Sequence, residues 1–178
     1  NNPGTEIVGV NSLEKAIVSG VALDKDMAKV SVIEVPDKPG IAFSIFSALS
    51  KHSIYFDMII QNVTRNSVND ITFTVKGDEL DEALEVTRKV AEEIGAKEVL
   101  YDRSVVKVSI VGTGIAGSAE IASSFFQTLY DLGINIDMIS TSEIRISCII
   151  EEGKGIEALN ALHNKFGLDK LSTNNKAV

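Results

Sequence analysis

An internal repeat is the sequence feature that most constrains the fold. Lys29–Val32 returns as Lys107–Ile110, an offset of 107 − 29 = 78 residues. Asp57-Met58 returns as Asp137-Met138, an offset of 137 − 57 = 80 residues. Two copies of this length in one chain predict two similar modules, each a single supersecondary unit.

Each copy changes between strand and helix periodicity in the order β-α-β-β-α-β. In the first copy the predicted strands cover 28–35, 54–63, 70–76 and 97–101, with helices starting after 40 and 77. In the second copy they cover 105–111, 134–140, 144–150 and a poorly marked stretch within 168–178, with helical patterns over 121–132 and 156–166. This order predicts an α+β fold of two tandem ferredoxin-like modules with antiparallel sheets.

The repeat divides the chain into three predicted parts. Residues 1–27 form an N-terminal arm, 28–102 the first module and 103–178 the second. Within the arm we expect a short helix over 11–16, a strand over 18–23 and a turn at 24–26, and we expect the arm to complete a sheet in one module. Because the chain opens without methionine, we expect it to be part of a longer or processed protein.

Charge and cysteine content exclude several classes of function. The formal net charge is −8 and the basic residues form no cluster, so a nucleic acid is not an expected partner. Cys148, the only cysteine, allows no internal disulfide and is expected to be a small core residue. No apolar run approaches the roughly 18 residues that a membrane span needs. We expect no metal or catalytic role for either histidine.

Residues 112–117 match the G-x-G-x-x-G pattern of dinucleotide-binding loops, with Asp137 placed 20 residues on, as 137 − 117 = 20. The first copy lacks this pattern although its surrounding elements repeat. Too little chain follows to supply the further parallel strands of a doubly wound sheet. We therefore do not expect a dinucleotide, although the N–H groups of this loop would suit an amino-acid carboxylate.

Several segments together resemble the regulatory region of aspartate kinases. Those similar to the first ACT module of that family are Lys29–Val32, Asp37–Gly40, Ile54–Val63 and Asp70–Thr74. Ser140–Ser147 resembles the signature of the second module, and Pro3–Thr5 and Gly20–Ala22 resemble the junction between kinase and regulatory regions. The resemblance covers nearly the whole chain.

The resemblance implies a regulatory function. The family phosphorylates the side chain of aspartate with ATP, the entry step to lysine, threonine and methionine. Its ACT modules bind lysine, threonine or both as feedback inhibitors. The kinase domain precedes this region or, in some members, the region is also made as a separate subunit. We therefore expect a cytoplasmic chain with no catalytic residues of its own, with ATP and Mg acting only in the kinase domain.

The first copy offers groups that suit a free amino acid. Gly40, Ile41 and Ala42 open a helix whose free N–H groups favour a carboxylate, and Pro39 sets the entry to it. Asp37 and Asp57 suit the ammonium, and Gln61 can donate and accept hydrogen bonds. The resemblance implies that Asn135 and Ile136 reach across to the same ligand and that Ser142 and Glu143 line a second, pseudo-symmetric site, where Glu143 suits a lysine side chain.

Two departures predict unequal sites. The loop of the second copy, Thr113–Ser118, lacks the Asp-Lys-Pro-Gly string and so lacks its ammonium partner. Ala122 stands where some relatives carry a hydroxyl near the lysine.

Three hypotheses follow, in order of preference. The first is the aspartate kinase regulatory region, acting as a homodimer with a kinase domain or subunit. The alternative is a stand-alone tandem-ACT sensor or transcriptional co-regulator. An enzyme with its own active site ranks last, because the sequence shows no catalytic triad, metal cluster or paired carboxylates.

Overall fold

A computed structural model of the protein describes residues 17–63, 68–115 and 117–168. The strands are β1 (Ile17–Pro36), β2 (Phe56–Val63), β3 (Val68–Val75), β4 (Glu98–Thr113), β5 (Met138–Ser142) and β6 (Arg145–Glu151). The helices are α1 (Ile41–Lys51), α2 (Leu80–Ile94), α3 (Ala119–Asp131) and α4 (Gly155–Lys165), and a 3₁₀ turn at Glu152–Lys154 precedes α4.

The six strands form one antiparallel sheet in the order β2-β3-β1-β4-β6-β5. One hydrophobic core lies under α1 and α2 and contains Val30, Leu49 and Phe73. A second core lies under α3 and α4 and includes Val108 and Phe125. The predicted α+β fold of two tandem modules is confirmed, and the two modules share one continuous sheet.

The two central strands belong to both modules. The first part of β1, residues 17–24, pairs with 107–113 of β4, and the later part, 29–33, pairs with 98–102. Residues 17–24 therefore take the place of the fourth strand in module 2, and Val18 lies in the core of that module. The division predicted at 27/28 and 102/103 falls inside continuous strands.

The turn predicted at 24–26 is absent, because the chain continues through it as a strand. The register with β4 shifts between Asp24 and Met27, which marks a bulge. The Asp26 N–H donates to Asp24 Oδ1 at 3.2 Å, so the residues that favour a turn instead satisfy the backbone of the bulge.

Local sequence explains where the helices begin and end. In α2 the buried residues Ala83, Leu84, Val90 and Ala91 recur at helical spacing, and Gly95 ends the helix with φ 76°. Ser118 caps α3 by accepting a hydrogen bond from the Ile121 N–H at 3.3 Å. These ends place the start of each helix beside the end of a strand.

The helix predicted over 11–16 and most of the final strand predicted within 168–178 lie outside the described residues. Among the helices that the structure describes, none is long and apolar enough to cross a membrane.

Candidate functional site

The start of α1 carries most of the residues predicted to bind an effector in module 1. Gly40 has φ 96°, a conformation that favours glycine, and no side chain caps the helix. Apart from the two chain neighbours, no atom of the described residues lies within 4 Å of where a Cβ on Gly40 would stand. The positive φ of Gly40 therefore explains the glycine at this position. Pro39, Ile41 and Ala42 flank this position.

Asp37 is tied to the sheet by Asn69. Asn69 Nδ2 donates to Asp37 Oδ1 at 3.0 Å, and Asn69 is 2% exposed. Asn69 Oδ1 is buried and accepts no hydrogen bond within the described part of the chain. A buried acceptor without a donor costs free energy, so this atom favours a donor such as an ammonium beside Asp37. Asn69 was not predicted from the sequence, because only the pairing of β1 with β3 brings it to this loop.

Gln61 lies on β2, opposite Ile71 in the register. Because paired residues share a face of the sheet, and Ile71 belongs to the core under the helices, Gln61 points to the same side as α1. It is exposed because β2 is an edge strand. Asp37, Asn69 and Gln61 thus lie near the start of α1.

Module 2 has a cleft at the corresponding position, with a volume of about 480 Å³. It is lined by Ile115, Gly117, Ser118, Ala119, Ala122, Thr141, Ser142, Glu143 and Ile146. The structure therefore brings the predicted residues Ser142 and Glu143 together with the start of α3. Among the described residues that line this cleft, Glu143 alone is charged.

The repeat confirms that the two positions correspond. The buried pair Ile45 and Leu49 of α1 matches Phe125 and Leu129 of α3 at an offset of 129 − 49 = 80. The same offset relates Ala42 to Ala122 and Gln61 to Thr141. Ala122 and Thr141 both line the module 2 cleft. Ala122, noted from the sequence as a departure, thus faces the candidate ligand site.

The glycine-rich loop at 112–117 ends at this cleft and is not part of a doubly wound sheet. Its strand, β4, pairs antiparallel with both neighbours, β1 and β6. A doubly wound dinucleotide-binding fold has parallel strands at this position, so the pattern does not stand in that structural context here.

Asp57 is already paired. Lys107 Nζ lies 2.5 Å from Asp57 Oδ2, and the side chains are 12% and 31% exposed. A matching ion pair joins Lys29 to Asp137. Each lysine lies on the first strand of one module and each aspartate on or beside the second strand of the other, so we call them the crossed ion pairs. An effector ammonium at Asp57 would compete with Lys107.

The seam between the modules is filled. Met58, Val105, Met138 and Ile149 form a third buried group, the seam cluster, on the side of the sheet without helices. From the resemblance we expected Asn135 and Ile136 to reach across to a ligand bound at the first module. Within one chain, apolar side chains and the crossed ion pairs fill the seam instead.

Asn135 and Ile136 lie just before β5, far from Gly40. Ile136 packs against the core of module 2 and Asn135 is exposed. The neighbouring Asp137 contacts Lys29, which precedes the end of β1 at Pro36 by 36 − 29 = 7 residues. At about 3.3 Å per residue, Lys29 and Pro36 are separated by roughly 23 Å along β1, and Gly40 follows Pro36. One chain does not unite them in a single site.

The lysines of the crossed ion pairs were not among the predicted site residues, although the sequence contains a signal for them. Lys29 and Lys107 occupy equivalent positions between buried residues of a strand, where an unpaired charge is costly. Because a lysine recurs at this position in both copies, we would expect each to have an acidic partner on the side of the sheet without helices.

The described residues contain no group of three or more His, Cys, Asp or Glu side chains that could hold a metal ion. Burial raises the pKa of the Cys148 thiol to about 12, so it stays protonated and is a poor nucleophile.

Comparison with known proteins agrees with the repeat. Two ACT domain families match residues 30–92 and 108–166. The chain is 46% identical over 169 residues to an aspartate kinase of Pseudomonas fluorescens, covering 94% of this chain and 41% of that protein. It thus spans less than half the length of this curated relative.

Two solved structures are similar over nearly their whole length. The ligand-free regulatory subunit of aspartate kinase from Thermus thermophilus is 46% identical, with a TM-score of 0.80, over 84% of this chain and 98% of that one. A chain from a structure of aspartokinase alpha and beta subunits is 42% identical, with a TM-score of 0.79, over 85% and 99%.

Proposed function

The chain belongs to the aspartate kinase family as its regulatory region of two tandem ACT domains, and from this premise we propose that it senses free lysine, threonine or both. Binding would inhibit aspartate phosphorylation by a kinase domain or subunit in the cytoplasm. ATP and Mg would act in that kinase part alone.

The observation that carries the proposal is the 480 Å³ cleft of module 2. A carboxylate suits the start of α3, where N–H groups and the helix dipole favour negative charge. The hydroxyls of Thr141 and Ser142 can bond the polar head group. Glu143 suits the ammonium of a lysine side chain, so this cleft favours lysine over threonine.

A second site at the start of α1 would use Asp37, Gln61 and Asn69 Oδ1, which has no hydrogen-bond partner among the described residues. We propose that Asn135 and Ile136 reach it from a second copy of the chain, because within one chain the neighbouring Asp137 contacts Lys29, seven residues before β1 ends at Pro36. The two edge strands offer contact surfaces for that copy: Ile59 on β2 is 46% exposed and Ile139 on β5 is 45% exposed. The site would then be complete in a homodimer.

Regulation would follow from a shift between arrangements of the domains. A ligand stabilises the arrangement in which its site is complete, and only differential affinity can shift the balance. A coupling free energy of about 1–3 kcal/mol would change the affinity of the kinase for its substrates by roughly 5- to 150-fold. An effector ammonium at Asp57 would also displace Lys107 from its crossed ion pair. Because that pair joins the two modules, its loss would favour a different arrangement of the domains.

Calorimetric titration with lysine, threonine and methionine tests the proposal. We expect heat of binding with lysine or threonine and none with methionine. Glu143→Gln should weaken lysine binding about tenfold or more, since a charged hydrogen bond is lost. Glu93→Gln, on the exposed face of α2, is the matched control. No heat with any of the three on folded protein would reject effector sensing.

The module 1 site and the homodimer have separate tests. Gln61→Ala should weaken effector binding, and unchanged affinity would remove Gln61 from the site. Ile139→Lys on the edge strand should shift sedimentation from dimer to monomer, because a charge is costly at an apolar contact. A monomer at all concentrations for the unaltered chain would reject the shared site.

A further inference from the structure

A second cleft lies on the side of the module 2 sheet without helices, with a volume of about 450 Å³. Its floor is formed by Ala22 and Ser109, which are opposite each other on β1 and β4. Ser109 is buried and its hydroxyl is bonded to Ser147 at 2.8 Å. The floor is therefore made of small, satisfied residues.

The two ends of this cleft differ in charge. Arg145 stands at one end, opposite Val111, and makes no ion pair within the described residues. Asp24 stands at the other end, opposite Lys107. Lys107 and Val111 are 111 − 107 = 4 residues apart on β4, so the two ends of the cleft are separated by about 13 Å. Asp26 and Lys25 also line this second end.

The end at Asp24 carries an excess of negative charge. Lys107 is 2.5 Å from Asp57 and 3.6 Å from Asp24. Counting Asp57, three carboxylates face two ammonium groups, those of Lys25 and Lys107. Asp26 uses one oxygen to accept from the Gly77 N–H at 3.1 Å, which leaves lone pairs on both lining aspartates.

The repeat supplies an internal control. In module 1 the hydrogen-bonded pair Ser31 and Thr72, at 2.9 Å, corresponds to Ser109 and Ser147. Leu100 lies opposite Ser31, where module 2 has Ala22. Two residues before Thr72 stands Asp70, where module 2 has Arg145. Module 1 thus fills the floor with leucine and reverses the charge of the arginine.

We propose that this cleft binds a small zwitterion whose carboxylate and ammonium are several bonds apart, such as an ω-amino acid. Arg145 holds the carboxylate through paired N–H donors. Asp24 and Asp26 hold the ammonium at the opposite end. This cleft shares no lining residue with the 480 Å³ cleft that contains Ser142 and Glu143, which we call the effector cleft.

The cleft shares a hairpin with the effector cleft. Thr141 and Ile146 of β5 and β6 line the effector cleft, whereas Arg145 lines the second one. Successive residues of a strand point to opposite faces, so the clefts lie back to back. A ligand on one face therefore contacts the same two strands as a ligand on the other.

The test uses 6-aminohexanoate as the probe, with NMR amide shifts as the readout on the intact chain. We expect saturable shifts at residues 22–26, 109 and 145. Hexanoate, hexylamine and inorganic phosphate should each bind about tenfold or more weakly, because each lacks one charge or the chain that separates the two. No shift at about 10 mM probe would overturn the proposal.

Two variants locate the site. Ala22→Leu reproduces the filled floor of module 1 and should abolish the shifts while keeping every charge. Arg145→Ala should weaken binding about tenfold or more, and Arg88→Ala on α2 should leave it unchanged. Binding that survives Ala22→Leu, or equal affinity for phosphate, would reject a zwitterion site. Glu143→Gln should leave probe binding intact, which separates this test from that of the effector cleft.

Discussion

At the scale of single residues, the crossed ion pairs link the two domains most directly. Lys107 is only 12% exposed and is close to two carboxylates, Asp57 and Asp24. Charges that are this far from water depend on their partners, because solvation no longer compensates for a lost contact. The pairs also explain why a lysine can lie between core residues on both β1 and β4.

Lys107→Met is therefore expected to lower the free energy of unfolding by about 1–3 kcal/mol, since Asp57 and Asp24 lose their cation. Urea unfolding followed by circular dichroism measures this loss. Lys89→Met is the matched control, because its pair with Glu85 is exposed on α2 and should contribute nothing measurable. Equal effects of the two substitutions would show that the crossed pair adds no stability.

The thiol of Cys148 gives a prediction with a pH dependence. Burial raises its pKa from the ordinary 9.0 to about 12 in the folded chain. The unfolded chain releases this proton first as the pH rises, so the thiol's contribution to stability is complete below pH 9.0 and is lost towards pH 12. Native protein at pH 9.0 should resist iodoacetamide, whereas protein in urea should react. Rapid modification of the native protein would contradict the burial of this residue.

At the scale of secondary structure, periodicity in the sequence predicted every described helix and most strand positions. The stripe of α2 and the stop at Gly95 are local signals that need no tertiary information. The bulge at Asp24 was missed because its residues also favour a turn, and only pairing with β4 decides between the two. The segments predicted as separate strands over 97–101 and 105–111 belong to one strand, β4, because pairing with β1 continues along both.

The candidate site was predictable in part. Ser142 and Glu143 belong to a local sequence pattern and do line a cleft. Asn69 and the partner of Asp57 were not predictable, because strand register brings together residues that are distant in sequence. Arg145 belongs to the Ser140–Ser147 segment that resembles the signature of the second module. The face of the hairpin on which its side chain lies depends on the pleat of β6, which the sequence does not fix.

Gly155 shows how closely an element can approach the sheet. A Cβ at this position would lie 2.9 Å from Val106 Cγ2 and 3.2 Å from Leu23 Cδ1. Gly155→Ala should lower the free energy of unfolding by about 1–3 kcal/mol, because α4 must move away from β1 and β4. Chemical denaturation measures the change. Gly153→Ala is the control and should be nearly neutral, because the nearest described atom beyond its chain neighbours, Glu151 Oε1, would lie 3.9 Å from the new Cβ.

At the scale of the whole molecule, the two domains are joined by more than a linker. β1 and β4 each run through both domains, and the seam cluster fills the space between them. Relative motion must therefore bend or twist the shared strands, which suits a regulator that reports occupancy at a distance.

Deletion of residues 1–24 tests this architecture. It removes the strand that takes the fourth place in the sheet of module 2, together with Val18 and Leu23 from its core. We expect module 2 to lose protection against hydrogen exchange in β6 and α4, while β3 and α2 of module 1 remain protected. Equal loss in both modules, or none, would show that the first part of β1 is not integral to module 2.

The route of β1 has a consequence for synthesis on the ribosome. Ser19 Oγ donates to the Val111 carbonyl, a partner 92 residues later in the chain. At about 5–20 residues per second, translation takes roughly 5–18 s to deliver that partner. During this interval the beginning of the strand emerges with no complementary backbone, and the nascent chain presents an open edge that molecular chaperones or a neighbouring nascent chain can occupy.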